Sequence, residues 1–337
     1  MAQPNELLAQ WSVSHGNLRR FFEDLALPPI GEEHQRAAGE AAAAAAIQET
    51  FGLDLEEFAL GVDSVGGAFE TAGRPELTPR DPDVPQDVGA AAFFDVDNTL
   101  IQGSSLILLA EELAKRRYIS LRELLPALTK QFRYRVSGKE SADDIASGRE
   151  QALSLVKGKS VAELQELCKD IVDRQMLDKA YQATIELASM HIAAGQQVWL
   201  VSATPVQIGQ ALAERLGFTG ALGTVAEEED GVFTGRLVGD ILHGPGKQHA
   251  VAALAAIQQL DLEKCTAYSD SINDLPMLEM VGAPVAINPD RALRKHAKER
   301  GWPVRDYRSM RRMVRSYLLP AAALAGVAAL SIRRRRR

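Results

Sequence analysis

Asp95, Asp97 and Thr99 follow directly on a short apolar run, Ala-Ala-Ala-Phe-Phe at residues 90–94. Two carboxylates two residues apart in an extended segment point to one face. At the end of a buried strand, that face opens on the crevice where open α/β sheets bind ligands. Two like charges held this close repel unless they share a cation or a proton. Such a pair is equipped for one carboxylate to attack a phosphorus while the other handles a proton. Taken alone, the trio also fits a calcium loop, the metal site of a glycosyl transferase, or plain turn chemistry.

Three later stretches narrow the choice. A β-rich run from Val198 stops at Ser202. A helix is predicted to begin at Pro205 with Thr204 as N-cap, since proline suits the first helical position. A phosphate at this junction would meet the Ser202 hydroxyl and free backbone N–H groups. Next, Gly244-Pro245-Gly246-Lys247 opens a helix predicted to reach about Ile257. A lysine held over a carboxylate and a phosphate lowers their mutual repulsion. Finally, the run from Cys265 to Pro276 reads as a short strand ending near Asp270, with Asn273 and Asp274 at a helix start. Asp270 and Asp274 offer the hard oxygens that Mg²⁺ prefers, and Asn273 could bond phosphate or cap the helix. Singly, these stretches read as a strand-to-helix turn, an exposed lysine and an N-capping cluster. Capping explains one polar residue of the last group, but not a strand-end aspartate and two more.

Together the four features, in this order, resemble the haloacid dehalogenase (HAD) superfamily, and most closely its phosphoserine-phosphatase-like subfamily IB. The flap-like segment from Asp230 to Val238 strengthens the likeness, which covers roughly residues 90 to 300. The resemblance implies an α/β fold: a Rossmann-like core with a parallel sheet and an inserted all-helical cap of the C1 type. It also implies roles. Asp95 would be the nucleophile, forming an aspartyl-phosphate. Asp97 would protonate the leaving oxygen and then activate water. Thr99 would support the loop and the phosphate. Ser202, the backbone amides beside it at Ala203, Lys247 and Asn273 would hold phosphoryl oxygens. Mg²⁺ would be held by Asp95, the Asp97 carbonyl and Asp270, with Asp274 in support. The implied activity is Mg²⁺-dependent hydrolysis of a small phosphorylated substrate.

The remaining chain must position these groups. Residues 1–64 hold two helix candidates, near Glu6 to Leu27 and Glu33 to Phe51. The second contains an alanine run, a strong helix former that is expected to bury little area. It reads equally as a docking helix or a loosely packed appendage. Residues 65–89, with four prolines and many acids, read as a flexible linker. Residues 90–103 and 179–304 form the expected catalytic core. Residues 104–178 show helical apolar spacing throughout, at 106–109, 121–136, 145–156 and 161–176. They are the expected cap, which would close over the site and choose substrates.

The cap departs from true phosphoserine phosphatases. Ser104 stands where that family has the glutamate that reads the substrate ammonium. Ala152 stands where it has a carboxylate-binding arginine, with Arg149 one helical turn earlier as a substitute. Phosphatase chemistry is therefore expected with the substrate unassigned. The alternatives are a phosphoserine phosphatase with an altered cap, a phosphotransferase, or a catalytically idle binding module.

Charge and composition set the surroundings. The 337-residue chain carries a net charge of −7, but residues 1–90 hold 16 acids against 5 basic side chains. The middle of the chain carries no basic patch with interleaved aromatics, so nucleic acid is not expected as a partner. Cys168 and Cys265 are the only cysteines, which suits a reducing cytoplasm rather than a disulfide framework. His243 and His249 flank Lys247 and are expected to be solvated. Residues 305–337 form a tail of arginines around an uncharged stretch, 317–332. As a helix it would span about 24 Å, short of the roughly 30 Å hydrocarbon core. Association with the inner face of the cell membrane is the expectation for this tail, and residues 1–64 are left with an unknown protein partner.

Overall fold

The computed structural model describes residues 32–52, 81, 83–116 and 156–308. The expected helices near 6–27, 121–136 and 145–155, with Arg149, lie outside the described residues, as do most of the linker and the tail from 309. Among the described residues, no helix is long and apolar enough to cross a membrane.

Strand β1 (Ala91–Asp95) is buried along its whole length, as expected of a strand covered on both faces. It lies at the centre of a six-stranded sheet with β2 (Gln197–Pro205), β3 (Gly220–Thr224), β6 (Thr266–Ser269), β7 (Ala283–Ile287) and β8 (Val304–Arg305). The spatial order is β3-β2-β1-β6-β7-β8, and every pairing is parallel. This is the doubly wound order, with the topological switch beside β1. Ala91 and Phe93 join one helix-covered core; Ala92 and Phe94 join the other. The remaining strands, β4 (Ala226–Glu229) and β5 (Val232–Leu237), form an antiparallel hairpin over the segment read as a flap.

Helix α1 (Glu33–Phe51) corrects the expectation that it buries little area. Residues 37–44, with Ala46 and Ile47, are all buried, packed on α6 (Pro245–Ile257) in one continuous core. The physical reason is the absence of bulk. A β-carbon on Gly39 would sit 2.7 Å from the Ala250 nitrogen and 2.8 Å from the His249 Cβ. Only small residues let two helix backbones come this close. His249 is likewise fully buried rather than solvated; its Nε2 lies 3.4 Å from Glu40 Oε1, and Glu40 also receives Arg36 Nε at 2.9 Å.

On the opposite face, α2 (Ser105–Lys115) and α3 (Val161–Ile171) belong to the inserted segment. Helix α4 (Gln182–Ala193) and helix α5 (Val206–Leu216) complete that layer. The insertion leaves and re-enters the core through two paired stretches: Gln102 N–H donates to the Lys179 carbonyl and Tyr181 N–H to the Leu100 carbonyl. The β4–β5 hairpin is stitched to the insertion by Gly158 N–H to Phe233, Phe233 N–H to Lys159, and Val161 N–H to Gly231. Helix α5 starts one residue later than expected, at Val206 with Pro205 as N-cap. Thr204 does not cap it, because its hydroxyl is bonded to Ser202.

Candidate active site

Three of the candidate loops leave adjacent strands at one end of the sheet. Asp95 is the last residue of β1 and pairs with Val201, so Ser202 stands one residue further along the neighbouring strand. On the other side, β6 ends at Ser269 and delivers Asp270. Helix α6 brings Lys247 in from its first turn, with Pro245 and Gly246 ahead of it. A short 3-10 turn (Ile272–Asp274) and α7 (Leu275–Glu279) carry Asp274.

Lys247 is the knot of the arrangement. Its Nζ lies 2.6 Å from Asp95 Oδ1 and 2.8 Å from Asp274 Oδ2, and all three side chains are buried. Ser269 Oγ donates to the same Asp274 oxygen at 2.7 Å. Burial alone would lower the Lys247 pKa, but the Asp274 and Asp95 carboxylates outweigh it and hold the ammonium above its ordinary value. At Asp95 burial prevails over the opposite charge. Burial raises its carboxyl to about 7, against the pull of Lys247, with Asp274 and Asp97 adding to the rise. Burial, then Asp95 and Asp274, raise Asp270 to about 8.

The rest of the loop that follows β1 is braced from several sides. Asn98 adopts the left-handed conformation, φ 59°, which asparagine tolerates. Its Oδ1 accepts from Gly103 N–H, its side chain also bonds Asp270, and its carbonyl accepts from Asn288 Nδ2 at 2.7 Å. Asn288 Oδ1 in turn accepts the Tyr307 N–H. Thr99 is buried; its carbonyl accepts from Thr184 Oγ1 at 2.9 Å, while its own hydroxyl has no partner among the described residues. Asp97 is half-buried, and its Oδ1 accepts from both the N–H and the hydroxyl of Ser105.

The Ser202 hydroxyl is shared with Thr204 Oγ1 at 2.8 Å and accepts the Thr204 N–H. The Ala203 carbonyl accepts from Thr224. Asn273 is half-buried, and its N–H donates to Ser271 Oγ. Ser104 precedes α2 and its carbonyl accepts the Leu108 N–H. The structure thus gathers Asp95, Lys247, Asp270 and Asp274, and sets Ser202 beside them. Ser105, Ser269, Asn98 and Asn288 emerge only in three dimensions.

The family profile of haloacid dehalogenase-like hydrolases matches residues 92–279, from β1 through the Asp270 loop. The chain belongs to this family. It is 53% identical over 257 residues to phosphoserine phosphatase SerB1 of Mycobacterium tuberculosis, covering 75% of this chain and 83% of that one. It is 31% identical over 221 residues to a histidinol-phosphatase of Neisseria meningitidis, covering 64% of this chain and 98% of that one. A Bordetella pertussis protein of unknown function aligns in three dimensions with a TM-score of 0.58 at 29% identity. That alignment covers 65% of this chain and 99% of that one. The fold is the HAD fold, phosphoserine-phosphatase-like, and the chain is an enzyme of the HAD phosphatase class.

Proposed function

We propose that this phosphatase hydrolyses a small phosphomonoester through an aspartyl-phosphate on Asp95, with Mg²⁺ as cofactor. The observation that carries the reading is the Lys247 ammonium buried between Asp95 and Asp274. It holds the Asp95 side chain in one orientation and supplies positive charge where a phosphoryl group would arrive. Asp97, two residues on, is placed to exchange a proton with the leaving oxygen. Ser202, the amides around Ala203, and Asn273 stand ready to bind phosphoryl oxygens, and Thr99 supports the loop.

The donor set suits a divalent cation. Asp95, Asp270 and Asp274 gather near one lysine, and burial, with repulsion from the neighbouring carboxylates, holds the first two above the ordinary carboxylate range. Asp274 is already engaged by Lys247 and Ser269, which leaves it a supporting part. Among the described residues no three His, Cys, Asp or Glu side chains converge on one point. Mg²⁺ takes one or two carboxylates and fills its octahedron with carbonyl, water and substrate oxygens. Asp95, Asp270 and the Asp97 carbonyl are the proposed protein ligands. When bound, the cation would neutralise phosphate charge and align the in-line displacement.

The raised carboxyls give this proposal a signature in stability. Asp95 and Asp270 bind protons more tightly folded than unfolded, so without metal their contribution to stability falls as pH rises from about 4 to about 8. Mg²⁺ binds the deprotonated site and reverses that loss. The thermal midpoint should therefore rise with added Mg²⁺ more at pH 8.5 than at pH 5.5. An equal shift at both values would count against a site built on these two carboxylates.

Phosphoserine is the second reading of the substrate, favoured by the 53% identity to the mycobacterial protein of that name. Ser104 argues against it, because a hydroxyl cannot pair an ammonium as a glutamate does. Specificity constants for phosphoserine and histidinol phosphate, beside sugar and nucleotide monophosphates, decide between them. We expect phosphoserine not to stand far above the others. A specificity constant at least about 100-fold higher for phosphoserine, near the upper limit of what apolar fit alone supplies, would reverse the assignment.

A further inference from the structure

We propose that Ser105 is the positioning residue for Asp97, fixing which carboxyl oxygen handles the proton. The proposal rests on Asp97 serving as the acid and base. Ser105 is the first residue of α2 and is fully buried. Its N–H is one of the donors that a helix start leaves without an intrahelical partner. Here it donates to Asp97 Oδ1 at 2.9 Å, and the Ser105 hydroxyl donates to the same oxygen. Among the described residues, every hydrogen bond to the Asp97 side chain falls on Oδ1. With that oxygen held by two donors, Oδ2 is the one left for chemistry. In the first step an Asp95 oxygen bonds to phosphorus as the ester P–O bond breaks, and the proton on Asp97 Oδ2 moves to the departing oxygen. In the second step a water oxygen attacks phosphorus and gives a proton to Asp97 Oδ2. The Asp95–phosphorus bond breaks, and both carboxyls return to their starting states.

The position of Ser105 adds a consequence. It stands three residues beyond Gln102, whose N–H pairs with Lys179 where the insertion leaves and re-enters the core. Helix α2 continues into that insertion. The acid and base of the core is therefore aimed by the first residue of a cap helix rather than by the core alone, and a tilt of α2 changes the aim of Asp97 directly. Among the described residues, Ser104, the neighbouring serine, makes no such contact with Asp97.

Leaving-group dependence separates aiming a proton from merely holding the fold. Phenolate is a much poorer leaving group than 4-nitrophenolate, so phenyl phosphate needs the proton and 4-nitrophenyl phosphate largely does not. The two esters are similar in shape, which keeps recognition by the cap nearly constant. For Ser105→Ala, we expect kcat/KM on phenyl phosphate to fall roughly tenfold or more, and on 4-nitrophenyl phosphate by less than about threefold. This is a fraction of what a general acid contributes. Ser105→Thr, which keeps the hydroxyl, should recover most of the loss. Asp97→Asn should show the same pattern, enlarged. If Asp97→Asn is selective but Ser105→Ala lowers both esters equally or neither, the assignment of Ser105 is wrong. If Asp97→Asn itself shows no selectivity, the acid role of Asp97 fails and the proposal goes with it. Ser105→Cys, similar in size but a weak donor, replaces the alanine variant should that one fold poorly.

Discussion

Asp95→Asn should abolish turnover and leave the fold in place. The carboxamide keeps the size and shape of the side chain but offers phosphorus no anionic oxygen. Removing a covalent nucleophile costs about 10⁴- to 10⁶-fold in kcat. Folding should survive because Lys247 keeps Asp274 as its partner at 2.8 Å. The replaced group was itself poorly placed for charge, with burial raising it to about 7. A neutral side chain there removes a desolvated carboxylate at alkaline pH. Circular dichroism and a thermal midpoint, read beside steady-state rates on 4-nitrophenyl phosphate, check both halves. Turnover within about tenfold of the wild type would be far too small a loss for a missing nucleophile.

Lys247→Met has a different profile, with activity and stability both lost. Methionine fills the volume of the lysine stem but leaves Asp95 and Asp274 buried without a cation. Breaking a buried ion pair by removing one partner costs about 3–5 kcal/mol. The sign with pH follows from the carboxyls. Without Lys247, whose charge lowers it, the folded pKa of Asp95 rises further above the unfolded one, so its charged form penalises the fold above about pH 4, increasingly up to the folded pKa. The deficit relative to wild type should therefore be smaller at pH 5 than at pH 8, and Mg²⁺ should recover part of it. Urea unfolding at the two pH values measures it. A deficit that is larger at pH 5 would mean that these carboxylates do not carry the effect.

The gathering of the candidate residues was legible in the sequence because they lie at or near the carboxyl ends of strands, although β2 runs on to Pro205 rather than stopping at Ser202. Asp95, Ser202 and Asp270 each follow a short β-rich run, and a parallel sheet turns such runs into neighbours. Lys247 was legible from the Gly-Pro-Gly lead into its helix. What escaped has physical reasons. Helix α1 carries an alanine stretch, and a stretch with no contrast between large and small or polar and apolar points to no face. Its burial depends on a match to the small surface of α6, seen at Gly39 and Ala250, and no periodicity encodes that match. Gly39 beside the alanine run was the available signal. Ser269 acts on Asp274, five residues along the same loop, and Asn288 on Asn98, 190 residues away in the chain. Ser104 drew notice through a family position, while the contact with Asp97 belongs to Ser105. One residue of helix phase separates them, and only coordinates resolve it.

The most direct test of the covalent route uses Asp97→Asn mixed with 4-nitrophenyl phosphate, quenched in acid and examined by mass spectrometry. The good leaving group departs without a proton donor, whereas water attack on the intermediate slows for want of a base, so the intermediate accumulates. We predict one phosphoryl group on the peptide that contains Asp95, and none when Asp95→Asn is added. A phosphoryl group on another residue, such as Ser202, or nitrophenolate release with Asp95 never modified, would contradict capture by this carboxylate.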